Sequence, residues 1–404
     1  MKPTARRLTG VCPSGIRKFF DMARMYPDVI SLGAGEPDFT TPQHIIDAGI
    51  DALKKGCTHY TCNLGDSDLR AAIADKLRDE NKLDYSPDEV LVTMGSSEAL
   101  GIVLQAIVDH GSEVLLPDPS YVAYEPAIRL AEGAPVFVPT TAENVWVPDP
   151  EEVTARITDR TKAIMIPSPC NPTGAIYPKD RIEEIAELAI SHDLFVISDE
   201  IYEKIIYEGS THTSIGSVEG MRDRTFLVNG FSKAYAMTGW RVGYVACPRA
   251  LMDELLKIHQ YCAICAPAAS QRAAHAALTG PQDCVREMVR EYDRRRKMMV
   301  SELNKIDGIS CQTPPGTFYT FPSITALMKE KGKAVKSFLA NHGGVAESIS
   351  EQAMDFLFLS AHVVSVGGNF FGAGGEGYMR MSFATAYEKI VEAIQRMKEA
   401  VSTL

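Results

Sequence analysis

Thr225–Cys247 reads TFLVNGFSKAYAMTGWRVGYVAC. Two apolar runs, Thr225–Asn229 and Val242–Cys247, flank a segment of small and polar residues. Neither run alternates strictly between apolar and polar, which is the pattern of strands covered on both faces. Lys233 falls just past the first run, where a side chain can leave the end of a sheet. Ser232 sets a hydroxyl beside it. Arg241, eight residues on, adds a fixed positive charge suited to phosphate. A lysine amine adds to a carbonyl only when it is unprotonated and positioned, and a neighbouring cation lowers its pKa. The stretch therefore reads either as an anchored aldehyde site or, like most Ser-Lys-Ala triplets, as a solvated turn.

Upstream, strand and helix patterns alternate. Strands are expected at Glu89–Thr93, Glu113–Leu116, Pro135–Val138, Lys162–Ile166 and Leu194–Ser198. Helices are expected at Pro42–Lys55, Asp66–Asn81, Glu98–Asp109, Ser120–Glu132, Pro150–Ile157, Lys179–His192 and over Arg249–Thr279. Such βα alternation indicates an α/β fold with a mostly parallel sheet covered by helices on both faces. Ligands of these sheets sit at the carboxyl ends of the strands. Gly95, Asn171, Asp199 and Lys233 each follow a strand and so are expected to converge. Beyond Pro281–Lys305, a long charged helix, the pattern changes to α+β, with short strands at Thr317–Phe321 and Tyr378–Phe383. The N-terminal arm carries a short helical pattern at Ile16–Met25. The Arg290–Arg296 cluster reads as a solvated helix face.

The chain has 404 residues, 45% hydrophobic and 23% charged, with a net charge of −11. This is the composition of a globular protein, and the negative balance argues against general nucleic-acid or anionic-membrane binding. Nine scattered cysteines do not form a disulfide framework, and the basic start lacks the apolar run of a secretory signal, so a cytoplasmic location is expected. No stretch has the length of a membrane span.

Two motifs read as decoys. Gly372–Gly377 fits G-x-G-x-x-G, but it precedes the alternating segment YMRMSF and opens no helix, which argues against a dinucleotide site. Cys262-x-x-Cys265 has no second pair at suitable spacing, so buried structural thiols are expected there and no metal site.

Pyridoxal phosphate chemistry asks for a lysine, a carboxylate at the ring nitrogen, donors to the ring's phenolate oxygen, a stacking aromatic and an anion cradle. The chain can fill each role. Lys233 would hold the aldehyde, and Asp199, kept ionised by a nearby cation, would face the pyridinium. Tyr202 and Asn171 would reach the phenolate oxygen and Tyr121 would stack. Ser96 and Ser97 at a helix start, with Ser232 and Arg241, would hold the phosphate. Each residue alone is also explained as a cap, a turn or a core residue.

Gly35-Glu-Pro-Asp38, Asn171-Pro-Thr-Gly174, Asp199-x-x-Tyr202, Ser232-Lys233 with Arg241, and Tyr378-Met-Arg-Met-Ser382 together resemble the class I/II aminotransferases. The resemblance runs from about residue 30 to the C-terminus. It implies a fold-type I enzyme, with a large domain (46–285) built on a seven-stranded sheet and a discontinuous small domain (1–45 and 286–404). It implies the same roles for the residues above, with Arg380 clamping the substrate α-carboxylate, assisted by Gly35 and Asn171. It also implies a homodimer in which Tyr60 reaches the phosphate of the other subunit. The implied activity is amino-acid:2-oxoacid aminotransfer by a ping-pong route. Glutamate/2-oxoglutarate would be one pair, and aspartate, alanine or an aromatic amino acid the other. A carbon–sulfur β-lyase of the same fold is the alternative. Two departures stand out. Gly230 replaces a serine of many relatives, which puts one phosphate contact in doubt. Ser97 stands where some aspartate-specific relatives carry a lysine, which puts aspartate specificity by that route in doubt.

Overall fold

A computed structural model of the protein describes residues 2, 4–11, 28–344 and 346–404. The helix expected at Ile16–Met25 lies outside them. The strands are β1 (Ile30–Ser31), β2 (Val90–Thr93), β3 (Glu113–Asp118), β4 (Ala134–Pro139), β5 (Thr161–Pro167), β6 (Phe195–Asp199), β7 (Thr225–Gly230), β8 (Gly243–Ala246), β9 (Tyr319–Thr320), β10 (Val363–Val364), β11 (Val366–Gly367) and β12 (Met379–Ser382).

Seven strands form one sheet in the order β2-β8-β7-β6-β5-β3-β4. All run the same way except β8, which is antiparallel to both β2 and β7. Alternate side chains of the central strands enter different cores. Phe226 and Val228 face one side with Met165 and Ile197. Leu227 faces the opposite side among the helices Ser67–Asn81 and Ala268–Thr279, and Ile164 and Val196 pack there on Lys179–Ser191. Period-2 alternation between two apolar layers is why these strands read as continuous hydrophobic runs.

The direction of β8 positions the site. Its pairing puts Gly243 opposite Thr93 and Gly230. The residues leading into β8 therefore lie at the same edge as the residues leaving β2 and β7. Arg241 is brought to the carboxyl ends of the parallel strands although it precedes a strand.

The C-terminal third has its own core. The helices Asp283–Leu303, Ile349–Ala361 and Tyr387–Ser402 pack with the small antiparallel sheet β11-β12-β9 and the parallel pair β1-β10. The helix Ile349–Ala361 was not anticipated. Its FLFLSAHVVSV run also fits a strand, but Ser348 caps it by accepting from Glu351 N at 3.1 Å.

Three further expectations are corrected. Arg295 and Arg296 are buried. Arg295 pairs with Asp38 at 2.9 Å and Glu291 at 2.8 Å, and Arg296 donates to Pro314 O at 2.7 Å and lies over the Tyr207 ring. Their helix turns this face inward because carboxylates and a carbonyl there satisfy the guanidinium groups; only neighbours such as Arg294 are solvated. Cys262 is exposed and Cys265 half-exposed, since the helix Arg249–Cys262 ends between them. The helix expected from Ser120 begins only at Tyr124, which places Pro126 in its first turn, where no N–H is needed. No helix among the described residues is long and apolar enough to cross a membrane.

Candidate active site

A cavity of about 540 Å³ opens at the carboxyl edge of the large sheet. It is lined by Gly35, Ser96, Ser97, Tyr121, Asn171, Asp199, Tyr202, Ser232, Lys233, Arg241 and Arg380. Every site residue expected from the sequence is there except Tyr60, which is 79% exposed on the surface.

The chain path explains the convergence. Asp199 is the last residue of β6, and Lys233 lies three residues past β7. Gly95 caps the helix Ser96–Ile107 and has φ +79°. A Cβ on Gly95 would stand 2.6 Å from Arg241 Nη2, and one on Gly243 would stand 2.7 Å from Ser96 N. Only glycine lets the helix start, Arg241 and β8 come this close. The result is a helix N-terminus and a guanidinium side by side, an anion site on two counts. Arg241 is steadied by donating to Thr238 O at 3.0 Å and Met94 O at 3.3 Å.

Lys233 Nζ donates to Gly35 O. Burial, then the positive charge of Arg380, push its amine down to about 8, against the opposing pull of Glu36 and Asp199. Roughly a tenth of the amine is thus neutral near pH 7, far more than for a lysine at its usual pKa. Arg241 contributes to the shift, but less than burial and Arg380.

Asp199 accepts from Tyr124 Oη at 2.7 Å through Oδ2 and from Ile201 N at 3.2 Å through Oδ1. The sequence reading held this carboxylate low beside a cation. Burial in fact raises it, and the Tyr124 and Ile201 bonds only partly offset that, because Glu200 opposes the weaker pull of Lys233. A carboxylate so placed gains most from a cationic partner, such as a pyridinium.

Arg380 is 3% exposed. It donates to Asn171 Oδ1 at 3.1 Å and Gly33 O at 2.7 Å, and its guanidinium lies 4.4 Å from the Tyr319 ring centroid and 4.9 Å from that of Phe371. Its Nε is buried without a partner. Tyr202 shares a hydrogen bond of 2.8 Å with Tyr319, and burial raises both phenols.

Sequence reasoning missed four groups on the cavity wall: Tyr124, Tyr319, Glu36 and Thr238. Thr238 Oγ1 donates to Glu36, tying the Gly35 loop to the loop after Lys233. Glu36 lies within the Gly35–Asp38 motif and Tyr124 one helical turn from Tyr121, so both had a local signal. Tyr319 had none. Behind Asp199, a buried network also went unseen. Glu200 accepts from Ser198, Ser214, Asn81 and His212, and Glu203 from Lys76, Asn81 and Asn229. Burial alone would depress His212, but Glu200 carries it above its usual range. Glu203 is held low, against its burial, chiefly by Lys76. At Gly230, an added Cβ would lie 3.0 Å from Gly243 Cα, so the residue is packed against β8.

A buried amine with a low pKa, a buried carboxylate and a helix N-terminus beside a guanidinium match the three functional ends of pyridoxal phosphate: aldehyde, ring nitrogen and phosphate. The family profile "Aminotransferase class I and II" matches residues 27–397. The aspartate aminotransferase of Pyrococcus abyssi is 45% identical over 398 residues, covering 98% of this chain and 97% of that protein. Aromatic-amino-acid aminotransferase 2 of Thermococcus litoralis is 42% identical, covering 98% and 97%. The solved aspartate aminotransferase of Rhizobium meliloti superposes with a TM-score of 0.92 at 34% identity, covering 100% of this chain and 99% of that one. Fold and site therefore define a fold-type I enzyme that depends on pyridoxal phosphate. The chain belongs to the class I and II aminotransferases and is an amino-acid aminotransferase.

Proposed function

We propose that Lys233 is the cofactor-bearing lysine and proton carrier of an amino-acid:2-oxoacid aminotransferase. The observation that carries this is the placing of the Lys233 amine in one cavity with Asp199 and Arg380, where burial and the Arg380 charge push it down to about 8. Bound there, pyridoxal phosphate supplies an electron sink for the substrate's α-carbon. Ser96, Ser97, Ser232 and Arg241 would hold the phosphate, and Tyr121 would supply the stacking ring. Asn171 and Tyr202 would donate to the phenolate oxygen. Asp199, by remaining charged, would keep a proton on the ring nitrogen. Arg380 takes the substrate α-carboxylate as a bidentate pair, with Asn171 and Gly35 beside it. With the cofactor bound, Lys233 Nζ would take the substrate α-proton and return it two atoms along, at the carbon that was the aldehyde, and a pKa near the working pH suits both transfers.

Residues 46–285 form the large domain, and 1–45 with 286–404 the small one. The core shared by the C-terminal helices, which Ile201, Tyr202, Ile205, Tyr207 and Ala236 of the large domain adjoin, supports this division. Their closure, with the Gly35 loop, excludes water. Glutamate/2-oxoglutarate is one substrate pair, and aspartate, alanine or an aromatic amino acid supplies the other, in ping-pong order. Relatives named for aspartate and for aromatic amino acids support that range. The enzyme is a cytoplasmic homodimer in which Tyr60 reaches the phosphate of the other subunit. The exposure of Tyr60 and of Tyr261, at 79% and 86%, supports such a surface. The carbon–sulfur lyase alternative has no observation in its favour.

The test is a panel of amino acids with 2-oxoglutarate, run on the wild type and on Lys233→Ala. Turnover in the variant should fall by about 10⁴-fold or more, with the fold retained by circular dichroism. Near-normal turnover would overturn the assignment.

A further inference from the structure

The glycine-rich segment before Arg380 cradles a carboxylate of its own chain. Asp118 is the last residue of β3 and is buried. Both of its oxygens lie 3.1 Å from Gly374 N, and the backbone of Ala373 also donates to it. Gly372 has φ +127°, and a Cβ there would stand 1.9 Å from Asp118 Oδ1; one on Gly374 would stand 2.9 Å from Asp118 O. The G-x-G spacing is therefore the requirement of a backbone turn closing over a carboxylate. Burial pushes the Asp118 carboxyl up against the pull of the two amides, and Glu125 pushes it further. A charge kept in so unfavourable a place needs a reason.

The placement of this carboxylate supplies one. On one side, Ser120 N donates to Phe371 O at 2.8 Å, and Tyr121 is the next residue. On the other, Gly368 N donates to Tyr378 O at 2.8 Å and so joins the turn to the start of β12, which carries Arg380. The Phe371 ring lies under the Arg380 guanidinium, 4.9 Å away. The two segments otherwise belong to different sheets.

We propose that Asp118 is a positioning residue, which by gripping the Gly372–Gly375 turn fixes the spacing between Tyr121 on the cofactor side and Arg380 on the substrate side. This rests on the reading of Arg380 as the α-carboxylate clamp. Asp118 touches no reacting atom and acts through these two residues.

The test compares holoenzymes carrying Asp118→Ala, Asp118→Asn and Arg380→Ala with the wild type. It measures KM and kcat for the best amino acid of the panel with 2-oxoglutarate. It also measures the Kd of pyridoxal phosphate for each apoenzyme, by fluorescence, and the Tm. Asp118→Ala should raise both KM values about tenfold and the cofactor Kd several-fold, with kcat within about threefold. Asp118→Asn keeps one acceptor oxygen but loses the charge, and should raise the same constants by a smaller factor, about threefold; it also serves as the test if the alanine variant does not fold. Unchanged KM and Kd in Asp118→Ala, with KM raised in Arg380→Ala, would overturn the positioning role alone. An Asp118→Asn variant that leaves KM and Kd as wild type when Asp118→Ala does not fold would do the same. Kinetic losses that merely follow a lowered Tm, equal in the two Asp118 variants, would also overturn it. An unchanged KM in Arg380→Ala would instead remove the clamp reading, and the proposal with it.

Discussion

At the residue scale, the site is governed by what burial does to two charges. Burial lowers the Lys233 amine and raises the Asp199 carboxyl, so each is moved toward its neutral form. For the lysine this is useful, because the neutral amine is the reactive one. For the aspartate it works against holding a pyridinium, and Tyr124 Oη is the largest group offsetting it. Tyr124→Phe should therefore raise the Asp199 pKa further. The sign follows directly: the charged carboxylate is present above its pKa and lost as pH falls through it. The acid limb of kcat/KM should move to higher pH in the variant. Cofactor affinity near neutral pH should fall about tenfold, as expected for one hydrogen bond to a charged group. A pH–rate profile superposable on the wild type would show that Tyr124 does not tune Asp199. The sequence disclosed Asp199 through its neighbour Tyr202. Tyr124 carried only the signal of its spacing from Tyr121, and the fold turns its hydroxyl toward β6.

At the element scale, the phosphate cradle depends on one antiparallel strand. β8 reverses direction between β2 and β7, and so delivers Arg241 to the edge where the helix Ser96–Ile107 begins. Gly95 is the joint. Gly95→Ala places a side chain at φ +79° and 2.6 Å from Arg241 Nη2. The backbone term alone should cost about 1–2 kcal/mol. The displaced guanidinium should raise the Kd of pyridoxal phosphate on the order of tenfold, measured on the apoenzyme. Equal affinity in Gly95→Ala would mean that the phosphate does not sit at this helix. Most elements here were legible, since buried strands of apolar residues and amphipathic helices carry strong periodicity. The missed helix Ile349–Ala361 shows the limit. A run buried nearly all round has no polar face to mark its period.

At the scale of the whole molecule, the exposed aromatic side chains Tyr60 and Tyr261 sit on neighbouring segments, joined where Asn63 Nδ2 donates to Ile264 O at 3.0 Å. Sedimentation equilibrium at micromolar concentration should give twice the chain mass. Tyr60→Phe should leave that mass unchanged and weaken the cofactor by roughly 1 kcal/mol, the worth of one hydrogen bond. A monomer that retains full activity would end the shared-site reading. Buried Arg295 and Arg296 belong to this scale too. A run of arginines looks solvated in sequence, and the long-range partners Asp38 and Pro314, added to the local carboxylates Glu291 and Asp293, make burial tolerable.

The sequence by itself determined the strand–helix alternation, the positions just past the strands and most of the side chains that meet there. These follow from local periodicity and from residue chemistry, which the order of residues carries directly. The tertiary structure decided which of those side chains touch. It paired Arg380 with Asn171 and Tyr202 with Tyr319, and gave Asp199 the hydroxyl of Tyr124. It also gave the Gly372–Gly377 motif, which the sequence had only set apart from dinucleotide loops, its place as a cradle for Asp118. Contacts between residues so far apart in the chain depend on how sheets and helices pack, and one-dimensional spacing does not contain that information.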